Sequence, residues 1–160
     1  MLLIIGFVFE MFCIANRHGY EPGMSVWEND MKQQRLDPGW AWTKKFNLSA
    51  GVKIGDTIYT SGLVAFDSDG NVVGDDVYTQ AKQTFQNIEE LLSSAGATMA
   101  DVIKINTFLT DITQYGEFGR ARTDAFPAGV PASAAYATPA LVMPALLVEV
   151  EAIAVVGSGS

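Results

Sequence analysis

The amino-acid sequence predicts an α+β domain in which two helices cover one face of a mixed β-sheet. Two observations support this fold class. Apolar residues recur at helical spacing after Val77, and the last strand-like run, Leu146–Val156, is apolar on both of its faces. Because strand and helix patterns follow in the order β-β-α-β-α-β-β, a single sheet with both helices on one side is the simplest layered arrangement.

The first two strands are predicted to form a hairpin. Phe46–Val52 and Thr57–Val64 are rich in strand-forming residues, and Gly55-Asp56 between them is a turn signal. A second turn is predicted at Asp67–Asn71, with Val72-Val73 as a short return strand.

The clearest helix begins at Val77 and is stopped by Gly96. Its predicted buried face consists of residues spaced three or four apart, with one adjacent pair: Val77, Ala81, Phe85, Ile88, Leu91, Leu92 and Ala95. We expect a strand at Val102–Leu109 to follow it, because this run is rich in β-branched and aromatic residues.

A second, weaker helix is predicted at Gln114–Phe126. Thr113 would cap it, Gly116 and Gly119 weaken it, and Pro127 ends it. Two strands complete the domain, Ala132–Thr138 and Leu146–Val156. The second of these is expected to be central in the sheet, because alternate residues are apolar on both sides.

Composition narrows the possible functions. The 160 residues are consistent with one domain, and a net charge of -8 argues against binding nucleic acid through its phosphates. Only 18% of residues are charged, which favours an oligomer that hides apolar surface. The single cysteine, Cys13, cannot form an internal disulfide, so we expect a reducing, cytoplasmic compartment.

Residues 1–45 are interpreted as an N-terminal extension, and residues 157–160 as a flexible tail or linker. The apolar run Met1–Ile14 is too short for a spanning helix and lacks a basic start or clear cleavage site. Three interpretations of this run remain. It is an upstream extension before a natural start at Met24, a genuine helix that packs on the domain or a partner, or a membrane anchor. Of these, the anchor is the least favoured, and no membrane association is predicted.

Three sequence blocks then resemble a known family. Ile54–Gly62 (IGDTIYTSG), Asp101–Asp111 (DVIKINTFLTD) and Val148–Val155 (VEVEAIAV) occur in the order and spacing typical of the RidA/YjgF (endoribonuclease L-PSP-like) proteins. The helix Gln80–Ala97 also matches. For residues 46–156 this resemblance implies a chorismate-mutase-like fold, a homotrimer with small-molecule clefts between subunits, and chemistry without a cofactor.

The family's catalytic residues are only partly present. Family imine deaminases carry an arginine after Pro-Ala that grips a substrate carboxylate, but Ser133 follows Pro131-Ala132 here. Other family positions are also replaced: a cysteine or threonine by Ala135, an asparagine by Gly119, and a tyrosine by Leu48. The resemblance retains Glu149, which helps position the attacking water, and Ser61 with Gly62 in the Thr-Ser-Gly block.

Each candidate residue has a second, structural interpretation. Glu149 is the predicted catalytic residue, but backbone amides or an interface cation could equally hold its carboxylate. Glu151 shares its face and is more typical of an interface or solvent role. Ser61 could bind ligand or simply form a turn, and Ser133 could replace the arginine as a polar contact or only fill space.

The second helix supplies two further candidates. Arg120 or, less favoured, Arg122 could bring a positive charge to the cleft from a new direction, or either could be a solvated helix charge. Tyr136 and Met143 could line the cleft, although core packing is the ordinary role of such residues. His18, the only histidine, lies in the N-terminal segment and is not expected to be catalytic; no metal site is predicted.

The predicted function is a cofactor-independent hydrolase that deaminates an imine, an enamine or a ring-cleavage intermediate of the aminomuconate kind. Without an arginine at position 133, we expect a larger and more neutral cleft, and weak activity on small 2-imino acids. The alternative is a non-catalytic small-molecule-binding or chaperone-like trimer. Endoribonuclease activity, the third hypothesis, is disfavoured by the acidic charge.

Overall fold

The computed structural model describes residues 32–159 of the chain. Its strands are β1 (Gln34–Leu36), β2 (Gly51–Ile54), β3 (Thr57–Thr60), β4 (Leu63–Val64), β5 (Val102–Leu109), β6 (Ala132–Ala137) and β7 (Val148–Val155). Its helices are α1 (Ala41–Lys45), α2 (Val77–Ser94) and α3 (Tyr115–Ala125). The predictions for Met1–Ile14, Cys13, His18 and Met24 lie outside the described residues.

The strands form one mixed sheet, as predicted. Their order is β1-β2-β3-β7-β5-β6, with β4 also paired to β7. Strand β7 is antiparallel to β3, β4 and β5, whereas β5 and β6 run parallel. The predicted central position of β7 is therefore confirmed.

Helix α2 confirms the clearest sequence prediction. The Asp76 carboxylate caps its first turn by accepting the Thr79 N–H at 2.8 Å, and Gly96 follows its end with φ of 79°. Its apolar stripe is buried against the sheet. The buried Gln80 ties α2 to the chain before β7: its amide donates to the Ala145 carbonyl and accepts from the Leu147 N–H, both at 2.8 Å.

Alternation along β7 separates two faces of the sheet. Val148, Val150, Ala152 and Ala154 are buried on the helix side, whereas Glu149, Glu151, Ile153 and Val155 are partly exposed on the other. We call that second side the open face. Pairing registers place Tyr59, Phe108 and Tyr136 on it as well. Within residues 32–159 the two longer helices, α2 and α3, lie on one side of the sheet as predicted, and they leave the open face uncovered.

The start of the domain differs from the sequence prediction. The strand predicted at Phe46–Val52 is wrong over its first half, because α1 ends there and Asn47 adopts a left-handed φ of 51°. Pairing begins only at Gly51. Ahead of Phe46, the structure adds β1 and α1 to the same compact unit, and it stacks the buried rings of Trp40 and Trp42 5.0 Å apart.

One smaller prediction, the cap of the second helix, also changes. The cap of the second helical segment is Asp111 rather than Thr113, because the Asp111 carboxylate accepts the Thr113 N–H at 2.9 Å and a 3-10 turn precedes α3. Near the end of the described residues, the Gly159 N–H donates to the Asp101 carboxylate at 3.0 Å, and the interpretation of residues 157–160 as a flexible tail or linker stays a prediction. The bond from Gly159 and the Thr98 N–H lower the pKa of the Asp101 carboxyl.

Candidate functional site

A break in the sheet lies beside the middle of β7. Pairing of β3 with β7 ends at Tyr59 opposite Ile153 and resumes in β4, where Leu63 lies opposite Val150. Within the break, the Thr60 hydroxyl accepts the Ala152 N–H at 2.8 Å in place of a backbone carbonyl. The Thr-Ser-Gly block therefore departs from regular backbone pairing with β7 at this point.

Glu149 lies at this break. It pairs with Val64 in β4, and its side chain packs directly on the Cα of Gly62. A Cβ added to Gly62 would overlap the carboxyl group and lie 2.7 Å from its Cδ. Only glycine therefore leaves room for the carboxyl group in this position, which brings together two residues that the sequence had singled out.

The environment of Glu149 favours its protonated form. Burial, first, and the neighbouring negative charge of Glu151, second, raise the pKa of the Glu149 carboxyl above its ordinary value. Among residues 32–159, no cation and no hydrogen-bond donor contacts the Glu149 carboxyl group, and the Asn106 amide lies 3.5 Å from the carboxylate of Glu151 instead. A carboxyl group with a raised pKa is suited to accept and return a proton near neutral pH.

Ser61 is engaged in holding the chain. Its hydroxyl donates to the Ser49 carbonyl at 2.6 Å, and its backbone N–H donates to the Ala50 carbonyl at 2.9 Å. These bonds fix the bend before Gly62 and support the turn interpretation. A ligand could still reach the lone pairs of the hydroxyl, so a binding role for Ser61 stays a prediction.

Ser133 meets a cation. The Arg122 guanidinium donates through Nη1 to the Ser133 hydroxyl at 3.1 Å and to the Tyr115 hydroxyl at 3.1 Å. Arg120, which the sequence favoured, faces elsewhere: it forms an ion pair with Glu117 and stacks 4.6 Å over the ring of Tyr78. Arg122 thus brings a positive charge next to Ser133, and the expectation of a larger and more neutral cleft stays a prediction.

Tyr136 and Glu149 lie on the open face in the same cross-strand register. Phe108 in β5 is opposite Glu149 in β7 and opposite Tyr136 in β6, and the two rings stack 5.7 Å apart. Tyr136 remains 51% exposed on the open face. With strands spaced about 4.8 Å apart, the Glu149 and Tyr136 backbones are separated by about 10 Å, so both can line one open surface.

The remaining candidates are less connected to Glu149. A Cβ at Gly119 would meet no atom within 4 Å, Leu48 is 41% exposed, and Met143 is partly buried against the core. A concavity between α2 and the end of α3, based on Phe85 and Phe126, contains none of the predicted site residues. Because it lacks the sheet acid, we regard the Glu149 surface as the better candidate site.

Within residues 32–159, no group of three histidine, cysteine or acidic side chains is close enough to hold a metal ion. None of the helices in that part of the chain is both long and apolar enough to cross a membrane.

Solved structures share this architecture. A member of the YjgF/YER057c/UK114 family from Mycobacterium tuberculosis matches with a TM-score of 0.69 and 31% identity, covering 78% of this chain and 100% of that one. The fold places the protein in the class of YjgF-type α+β proteins.

Sequence comparison identifies the family. A sequence model of the Endoribonuclease L-PSP family matches residues 42–156, so the chain belongs to that family, which includes the RidA/YjgF proteins. The mouse protein named 2-iminobutanoate/2-iminopropanoate deaminase is 38% identical over 110 residues, which cover 68% of this chain and 81% of the relative. A RutC family protein of Pyrococcus abyssi is 31% identical over 107 residues, covering 66% and 84%.

Proposed function

We propose that this protein is a cofactor-independent imine deaminase in which Glu149 activates the attacking water. The observation that carries the proposal is the Glu149 carboxyl group, held against Gly62 in the sheet break with a raised pKa. The names of the mammalian relatives, which specify 2-imino acids as substrates, support the same reaction type.

Each step of the proposed reaction moves one proton. Water attacks the carbon of the protonated imine, and the Glu149 carboxylate takes the proton that the water loses. The product is a carbinolamine. Glu149 then returns this proton to the nitrogen, ammonia leaves as the C–N bond breaks, and the hydroxyl proton passes to solvent as the carbonyl forms. A pKa raised toward neutrality helps both transfers, because the same group must first accept and then donate.

The proposed assembly is a homotrimer whose clefts lie between subunits. The support is the open face, where Tyr59 is 45% exposed and Tyr136 51% exposed beside the partly exposed Ile153 and Val155. Covering such a surface with another subunit would remove apolar area from water. Light scattering should give a mass of about three chains, and a monomer in solution would contradict this part of the proposal.

The decisive experiment compares the wild type with Glu149→Gln on a substrate panel. We expect release of ammonia from 2-iminobutanoate, bulkier 2-imino acids or aminomuconate-type compounds, and a loss of about 10²- to 10⁴-fold in the variant. Far-UV circular dichroism should show that the variant remains folded. Undiminished turnover by Glu149→Gln on any substrate of the wild type would remove Glu149 from the mechanism.

A second candidate function is a non-catalytic small-molecule-binding or chaperone-like trimer. Two observations favour it: the Ser61 hydroxyl is bonded to Ser49, and the open face exposes aromatic rings. This candidate predicts that a ligand raises the melting temperature without being converted during long incubation. Ammonia release by the wild type above the spontaneous rate would exclude it.

A further inference from the structure

Strand β4 is attached to β7 by very little backbone pairing. It contributes only Leu63 and Val64 to the ladder, and Val64 lies opposite Glu149. The Phe66 N–H then donates to the Val64 carbonyl at 2.8 Å, so a tight turn ends the strand. Because β4 begins directly after Gly62, a shift of this short strand would move Gly62 relative to the carboxyl group of Glu149.

A buried amide on α2 supplies a further attachment. Asn87 is 4% exposed, and its Nδ2 donates to the carbonyls of Val64 and Phe66, both at 2.9 Å. The Gln83 amide, one turn earlier in α2, donates to the Asn87 Oδ1 at 3.0 Å and thereby fixes the orientation of the Asn87 amide. Asn87 therefore holds the end of β4 from the helix side of the sheet, opposite to the open face that carries Glu149.

Helix α2 by itself gives no reason for an amide at this position. Asparagine has a lower helix propensity than leucine, and a buried amide is costly unless its hydrogen bonds are made. The Asn87 side chain offers two neutral N–H groups on a short stem, and both are directed at carbonyls of the turn that follows β4. This match indicates that the amide serves β4 rather than the helix.

We propose that Asn87 is a positioning residue for the deamination, which holds β4 in place and so keeps Gly62 against the carboxyl group of Glu149. The inference rests on the proposed function for the role of Glu149. Asn87 acts through β4 only, because it lies on the helix side of the sheet and its hydrogen bonds are to Val64, Phe66 and Gln83. Without this amide, β4 can move, and water gains access to the carboxyl group beside Gly62.

The first test follows the titration of the Glu149 carboxyl group by NMR, in protein labelled with ¹³C at the glutamate side-chain carboxyl carbon. The Glu149 signal is assigned by its absence in Glu149→Gln. In the wild type we expect a midpoint above the ordinary glutamate pKa of about 4.3, because burial raises the pKa of this group. In Asn87→Leu the midpoint should be lower by about half a pH unit or more, because the carboxyl group is better hydrated.

Two variants of α2 serve as matched controls. The Thr84 hydroxyl donates to the Gln80 carbonyl within the helix, and Ile88 is a fully buried apolar neighbour of Asn87. Neither side chain makes a hydrogen bond to β4, so Thr84→Val and Ile88→Val should leave the midpoint of Glu149 unchanged.

Other titratable side chains share the open face with Glu149. On the neighbouring strands they are Glu151 in β7, Lys104 in β5, Tyr59 in β3 and Tyr136 in β6, and β4 contributes none. Asn87 lies on the other side of the sheet and is hydrogen-bonded to none of them. A lower midpoint in Asn87→Leu therefore reports a movement of β4 and not the loss of a charge.

Turnover supplies a second readout. On a substrate that the wild type deaminates, Asn87→Leu should lower kcat about 10- to 100-fold, because the acid is displaced, and change KM by less than about threefold. The acid limb of the pH profile of kcat/KM should move to lower pH together with the NMR midpoint. Gln83→Leu removes only the support of the Asn87 amide, so it should show the same changes at a smaller size, and it carries the test if Asn87→Leu does not fold.

Three results would overturn or separate the proposals. An unchanged midpoint and kcat in folded Asn87→Leu, or in Gln83→Leu where the first variant does not fold, would overturn the inference. Equal changes in Thr84→Val or Ile88→Val would also overturn it, because any weakening of α2 would then have the same effect. Full turnover by Glu149→Gln would instead contradict the catalytic proposal, whereas a lower midpoint in Asn87→Leu would still show that Asn87 keeps the carboxyl group in place.

Discussion

Replacing Gly62 by alanine should displace the proposed catalytic acid without removing it. The new Cβ would lie 2.7 Å from Cδ and 3.1 Å from Cγ of Glu149, whereas carbon atoms in contact are about 3.5–4.0 Å apart. The carboxyl group must therefore retreat by about 1 Å. Gly62 is not among the residues with positive φ, so alanine adds no backbone strain there.

A displacement of this size should reduce turnover about 100-fold, because reacting groups must be positioned to within a fraction of an ångström. The assay is ammonia release from 2-iminobutanoate generated in situ, corrected for spontaneous hydrolysis. Gly116→Ala is the matched control, because its Cβ would meet nothing within 4 Å. In a Glu149→Gln background, Gly62→Ala should cost little more, since both changes act on one group.

The reasoning would be refuted if Gly62→Ala kept turnover within about twofold of the wild type while Glu149→Gln was inactive. That result would mean that the position of the carboxyl group against Gly62 does not matter for proton transfer. A melting temperature measured for each variant separates a displaced acid from an unfolded protein.

Three further predictions concern stability. Because burial and Glu151 raise the pKa of Glu149 in the folded protein, protonation of this group stabilises the fold. Glu149→Gln should therefore melt at a higher temperature than the wild type at neutral pH. Thermal melts across pH should show that this difference disappears as the pH falls below the ordinary glutamate pKa. Gln80→Leu should lower the free energy of unfolding by about 2 kcal/mol in urea denaturation, because it removes three part-buried hydrogen bonds, those to the carbonyls of Gly74 and Ala145 and from the Leu147 N–H; a loss under about 0.5 kcal/mol would be inconsistent with this. Gly119→Ala should raise the free energy of unfolding by about 1 kcal/mol, since alanine favours the helix and finds open space; a lower melting temperature would show that another group occupies that space.

Long periodic elements could be predicted from the sequence because their patterns repeat. Helix α2 keeps its buried residues on one face along all of its 18 residues, and buried and partly exposed residues alternate along the whole of β7. The strand predicted from Phe46 was wrong because local composition was overridden: the Ala41 N–H bonds the Ser68 carbonyl at 2.9 Å, and this tertiary contact supports a helix of five residues. Such a short helix has no periodicity to detect.

Only the part of the candidate site that lies in the family-like sequence blocks could be predicted. Glu149 and Gly62 lie in blocks that resemble the family, and the structure brings them into contact. Arg122 was ranked below Arg120, because spacing alone does not fix the rotation of α3 about its axis. Only the packing of Phe118 and the position of β6 decide which arginine reaches Ser133, and no signal in the sequence reports either.

The two glutamates of β7 also have a consequence for how the sheet assembles. Val148, Val150 and their successors are buried while Glu149 and Glu151 alternate with them on the open face. If β7 paired one residue out of step, both carboxylates would be driven beneath α2 and the valines would be turned outward. Burying two unpaired charges is expensive, so the mispaired strand would be rejected during folding. The two glutamates therefore help to fix the register of the central strand, independent of any reaction they support.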